Sequence, residues 1–97
     1  MNFENKVIFV SKKLIMEDGK QYFDNYFASV KSVDEEAIVV IKPDGEEENL
    51  PRGEEFYEEA EPGLYELNDG STHENPDYIA DFLIYENDAA YQKYKDQ

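Results

Sequence analysis

Residues 37–51 read AIVVIKPDGEEENLP, and their reading decides the fold. The first five are apolar, and Ile38, Val39, Val40 and Ile41 are β-branched. Branched side chains are stiff at χ1 and suit a pleated surface. Residues 37–42 are therefore expected to form a strand. Because its apolar positions are consecutive, that strand is expected to be central in its sheet or covered on both faces. Pro43 fixes φ, and Asp44-Gly45 supplies the positive φ of a tight turn. Glu46, Glu47 and Glu48 then run into Leu50 and Pro51. This is the pattern of a returning edge strand, with charge guarding the edge and proline ending it.

The same punctuation recurs on both sides. Asp18-Gly19 and Asp69-Gly70 are two further hairpin signals. Before the first lies an apolar segment, residues 6–16, read as one strand or as a pair broken at Ser11-Lys12-Lys13. After it, residues 21–33 resume as strand. Tyr26, Ala28 and Val30 share one face there, with Phe27 and Ser29 on the other. Asp34-Glu35-Glu36 is a short turn. Residues 53–60 are expected to make one helical turn anchored by Phe56 and Tyr57. Residues 64–67 make a short strand and residues 78–86 the last one. In the last strand Tyr78, Ala80, Phe82 and Ile84 face one way, opposite to Ile79, Asp81, Leu83 and Tyr85. Asp88 is the expected N-cap of a terminal helix over residues 89–95, which carries Tyr91 and Tyr94. The 97 residues thus form a single, mainly β domain with one short C-terminal helix. The expected architecture is a small antiparallel barrel or a strongly bent sheet.

Residues 26–51, YFASVKSVDEEAIVVIKPDGEEENLP, resemble the middle of SH3-like small barrels. The shared pattern is a strand, an acidic turn, a β-branched strand, a Pro/Asp-Gly turn and a strand ending in Leu-Pro. The resemblance covers about a quarter of the chain. It implies a module that binds a partner more often than a catalyst. The ligand grooves of such barrels use a tryptophan, and this chain has none. That departure argues against a reader of proline-rich peptides.

Charge narrows the partner. The formal net charge is −15. Residues 1–33 carry five lysines and four acids, a net of +1. Residues 34–61 carry twelve acids against Lys42 and Arg52, a net of −10, and residues 62–97 a net of −6. Nucleic acid and anionic membrane both require positive charge at the contact, so neither is an expected direct partner. A basic protein is the natural neighbour. Fourteen aromatics give enough bulk for a core, which separates the chain from a disordered acidic tail. There is no cysteine, hence no disulfide framework or thiolate chemistry. No apolar run reaches the length of a membrane span, and a cytoplasmic location is expected.

Candidate chemistry is sparse. Carboxylates at 46–48, 54–55 and 58–59 fall in polar runs, where solvation is the default, so no acid–base pair is assigned. His73 is the lone histidine, in a loop by composition. Ser71 and Asp77 lie near it in sequence, but a triad needs nucleophile, base and orienting acid held together. Asp69, Ser71, Glu74 and Asp77 have the wrong spacing for a calcium loop. No metal or cofactor is expected.

The acidic run remains. Solubility needs a net charge of only about 2–8 in a small domain. Concentrated like charge opposes compaction and favours a cationic partner. The expected contact residues are Glu46, Glu47, Glu48, Glu54, Glu55, Glu58, Glu59 and Glu61, with Tyr57 and Tyr65 as anchors. The reading that follows is a non-enzymatic binding module, a monomer or weak dimer, that engages a basic surface. Its most concrete forms are an immunity protein against a nuclease toxin and a mimic of nucleic-acid phosphates. The alternative is a structural or regulatory accessory domain whose acidity serves solvation alone.

Overall fold

The computed structural model describes residues 1–95. Strands β1 (Val7–Ile15), β2 (Gln21–Val33), β3 (Ala37–Ile41) and β4 (Glu47–Pro51) follow one another as hairpins. A 3₁₀ turn, Glu54–Phe56, leads into β5 (Tyr57–Glu59). Strands β6 (Leu64–Glu66) and β7 (Thr72–Glu74) form a separate two-stranded hairpin. Strand β8 (Tyr78–Tyr85) and helix α1 (Asp88–Tyr94) complete the described chain. All three Asp-Gly turns are where the sequence places them, with φ of +91° at Gly19 and +89° at Gly45 and Gly70. Each aspartate accepts a backbone N–H two residues on, which fixes the turn.

The main sheet has six strands in the order β4-β3-β2-β1-β8-β5. It is mixed, not wholly antiparallel: β8 lies parallel to β1, with Ile8 opposite Tyr78 and Ile15 opposite Tyr85. The sheet is open, because β4 and β5 share no ladder. It nevertheless curls far enough for the Tyr57 hydroxyl to donate to the Pro51 carbonyl at 2.5 Å, one edge reaching the other.

The core fills one side of this curved sheet. Ile8 and Val10, Tyr26, Ala28 and Val30, Ile38 and Val40, Leu50, Tyr57, Tyr78 and Ala80 all point into it. Phe3, from the N-terminal segment, plugs the centre against the rings of Tyr57 (4.9 Å) and Tyr78 (5.2 Å). Period-two alternation is therefore the rule, and β3 obeys it too. Ile38 and Val40 are buried, while Ile41 is exposed. Of the two expectations for β3, the central position is the one found, since it lies between β4 and β2 while Ile41 on its outer side stays exposed. Of the two readings of residues 6–16, the single strand is the one found. Strand β1 runs through Ser11-Lys12-Lys13 because β2 and β8 pair with it on both sides. Lys31 bulges out of β2 where the register shifts between Val30 and Ser32.

The outer side carries two small lids. The β6–β7 hairpin lays Tyr65 and His73 on Phe9 and Phe27. Helix α1 sets the Tyr91 ring edge-on to Tyr85 at 5.3 Å. Its N-cap is Asn87, whose side chain accepts from Ala90 N–H at 2.8 Å, so the helix starts one residue before the expected span and Asp88 lies inside it. The expected short terminal helix or tail spans residues 88–97, of which residues 96 and 97 lie outside the described residues. The lower half of β1, β2 and β8 extends past the core as a three-stranded wing. Its cost is visible in the surface: 6557 Å² is accessible, against about 5,700 Å² for a compact chain of this mass.

Candidate partner-binding surface

Nine of the ten expected contact residues fall into two groups on opposite edges of the sheet, and Tyr65 lies apart from both in β6. Glu46, Glu47 and Glu48 sit at the start of β4. Glu54, Glu55, Tyr57, Glu58, Glu59 and Glu61 sit on and around β5.

The β4 group is largely engaged within the chain. Glu47 points outward and pairs with Lys31. Glu48 points inward, pairs with Lys12 and accepts from the Tyr26 hydroxyl. Two more cationic contacts close this cluster: Lys12 and Lys42 approach the Tyr26 ring at 5.5 and 5.1 Å. Burial holds the Lys12 ammonium below the usual lysine range, against an upward pull from Asp24. Burial also pushes the Tyr26 phenol up to about 12. The cluster seals the polar mouth of the core. Glu46 alone of the three is exposed and unpaired among the described residues.

The β5 group is freer. Glu54 holds the N-terminal amine at 2.7 Å, and that bond and charge keep its carboxyl below the usual range. Glu55, Glu58, Glu59 and Glu61 are exposed, and no cation of the described residues pairs with them. The two tyrosines do not serve as exposed anchors. Tyr57 is 5% exposed and belongs to the core, with burial pushing its phenol up to about 12. Tyr65 is half-buried, stacked on Phe9, and donates to the Glu61 carbonyl at 2.8 Å. Acidic neighbours in sequence do not set the direction of either ring; strand parity decides which way a side chain faces.

The apolar groups that do face solvent lie elsewhere. Tyr22 is 53% exposed and Phe23 66% on β2; Leu83 is 54% and Ile84 41% on β8. The sequence signal for them was the continuation of alternating apolar residues beyond the segment that a core this small can cover.

His73 lies in β7, half-buried against the Phe27 ring at 5.4 Å, and not in a loop. The residues near it in sequence are engaged away from it. The Ser71 hydroxyl donates to Asp69 at 2.6 Å, and Asp77 accepts from Val7 N–H at 2.8 Å. Among the described residues no three His, Asp or Glu side chains converge to hold a metal ion. No helix of the described residues is long and apolar enough to cross a membrane. Comparison with family models, with curated proteins and with solved structures returned no match.

Proposed function

We propose that this chain is a non-enzymatic module that binds a basic surface on a partner protein, with residues 54–61 at the contact. One observation carries the reading. Glu55, Glu58, Glu59 and Glu61 are exposed along a single edge with no cation of the described chain against them, while Glu47 and Glu48 have lysines of their own. Unneutralised like charge raises the energy of the free protein, and a cationic partner relieves it and speeds encounter. The resemblance of the sequence of residues 26–51 to SH3-like modules, a class that mostly binds partners, supports the reading. The specific forms are an immunity protein seated on a basic nuclease surface and a mimic of nucleic-acid phosphates. In either, the β5 carboxylates stand where phosphate oxygens would. The lack of cysteine suits a reducing, cytoplasmic setting.

The test is capture from the native cell at low and high salt, with the wild type beside a Glu55→Gln/Glu58→Gln/Glu59→Gln/Glu61→Gln variant. A basic protein held at about 50 mM and released at about 500 mM salt, and lost by the variant, is the expected result. A partner retained by the variant, or at both salts, would remove the proposal. A second reading, an accessory domain with an apolar contact, is favoured by the exposure of Leu83 and Ile84 on β8.

A further inference from the structure

Strand β2 is thirteen residues long, but β3 pairs with it only from Ser29 onward. On that side, residues 21–27 have no strand partner among the described residues. The direction of their backbone groups follows from the ladder. In an antiparallel pair, residues alternate between facing the partner strand and facing away. The Lys20 carbonyl accepts from Met16 N–H and the Val30 N–H donates to Lys6, both at 2.9 Å. Even-numbered residues of β2 therefore face β1. Gln21, Phe23, Asn25 and Phe27 turn their N–H and C=O groups outward.

The other edges of the sheet are blunted, whereas this one is flanked only at its upper end, where the β6–β7 hairpin lies beside Asn25 and Phe27. Strand β4 carries glutamates and ends in Pro51, and β5 is three residues long with Glu58 and Glu59. Short strands, charge and proline are the usual defences of an edge. Residues 21–27 include no proline and no bulge. Their one charge, Asp24, lies directly across from Lys12. Tyr22 and Phe23 are 53% and 66% exposed there.

We infer that this edge pairs with the same edge of a second copy, antiparallel, about a two-fold axis at Phe23. Charge selects the occupant. A copy with net charge −15 is repelled by most of its twin, but residues 1–33 carry +1. The β2 edge lies in the one third of the chain without net negative charge. Register selects the axis. Centred on Phe23, the outward-facing groups match: Phe23 meets its twin, Gln21 meets Asn25 and Tyr22 stands opposite Asp24, with no like charges directly opposed. Centred on Asp24, two carboxylates would stand directly opposite, which is destabilising. Centred on Asn25, the second strand would run into β3, which starts its pairing at Ser29. The Phe23 axis also brings the twin's Gly19 opposite Phe27. Its turn, with Glu17 and Asp18, then lies beside Lys42, which follows Ile41 at the end of β3.

Sedimentation equilibrium of the full chain tests this across protein concentration at about 50 mM and about 500 mM NaCl. A reversible dimer that tightens with salt is expected, because salt screens the net repulsion. That sign is opposite to the one expected for docking of a basic partner, so either idea can fail alone. Asn25→Pro removes one outward N–H and leaves the ladder to β1 intact, and Phe23→Lys places two like charges on the axis. Each should weaken the dimer about tenfold or more. Circular dichroism shows whether both remain folded. Because the chain has no cysteine, Phe23→Cys gives a third readout. Residues exchanging both hydrogen bonds have Cα atoms about 5.5 Å apart, within disulfide reach. This variant should crosslink on mild oxidation while Glu58→Cys should not. A monomer at every concentration, or a dimer indifferent to both β2 variants and uncrosslinked through position 23, overturns the inference.

Discussion

Adjacent glutamates with opposite roles show how much a single residue's environment decides. Glu47 and Glu48 differ by one position, so the strand turns them to opposite faces. Glu47 meets Lys31 at a surface where both side chains are about half exposed. Glu48 meets Lys12 and Tyr26 where they are 26% and 16% exposed, for Glu48 and Lys12 respectively. An exposed pair is worth about 0–1 kcal/mol, since solvent screens it and ordering two long side chains costs entropy. A charged group hydrogen-bonded away from water contributes more, and removing it leaves its partners unsatisfied. Glu48→Ala is therefore expected to destabilise by about 2 kcal/mol, and Glu47→Ala by less than about 0.5 kcal/mol. Urea denaturation at neutral pH checks both, and equal effects would refute the assigned division. In sequence the two residues belong to one acidic run. Their difference becomes legible only when register is known, because a shift of one residue exchanges their faces.

Elements were legible where the signal is local. The Asp-Gly turns, the apolar alternation of Tyr26, Ala28 and Val30 and the short helix each depend on neighbours a few residues away, and each is present. What failed was partner choice. Nothing in residues 6–16 or 78–86 specifies that β8 will lie parallel to β1, some seventy positions away, in place of a closing antiparallel strand. The helix start shows the finest limit, since Asn87 and Asp88 are both good caps by composition. The chain uses Asn87, with Asp88 in the first turn, where a negative charge complements the helix dipole. Asn87→Ala should cost about 1 kcal/mol, and Asp88→Ala about half that. Both can be read from thermal melts monitored by near-ultraviolet tyrosine signal, because α1 sets the Tyr91 ring edge-on to Tyr85. A larger loss for Asp88→Ala would contradict the cap.

At the scale of the whole molecule, charge and shape pull in different directions. The acidic run looked like one patch in sequence, but the open sheet splits it between its two edges, β4 and β5. What was legible in sequence is where the acids lie, not what surrounds them: those of residues 54–61 keep an exposed edge, and those at 47 and 48 pair with lysines of the sheet. Only four ion pairs occur among the described residues, one of them a 3.8 Å contact between exposed groups. With a net charge of −15, unpaired like charges far outnumber them. Salt acts on both populations. Raising NaCl from about 0.1 M to about 1 M shortens the screening length from about 10 Å to about 3 Å. Surface pairs weaken, but the pairwise repulsion among the unpaired acids weakens more, since it acts over longer distances. Stability should therefore rise with salt. A gain of about 1 kcal/mol corresponds to about 4–8 °C in the thermal midpoint of a domain this size. Glu35→Gln/Glu36→Gln, in the exposed β2–β3 turn, should raise the midpoint at low salt and lose that advantage at high salt. Melts in a chloride series, at a protein concentration low enough to keep the chain monomeric, separate this effect from self-association. A midpoint that falls with salt would mean that the few ion pairs outweigh the repulsion, and that the free carboxylates on β5 exert no pressure toward a cationic partner.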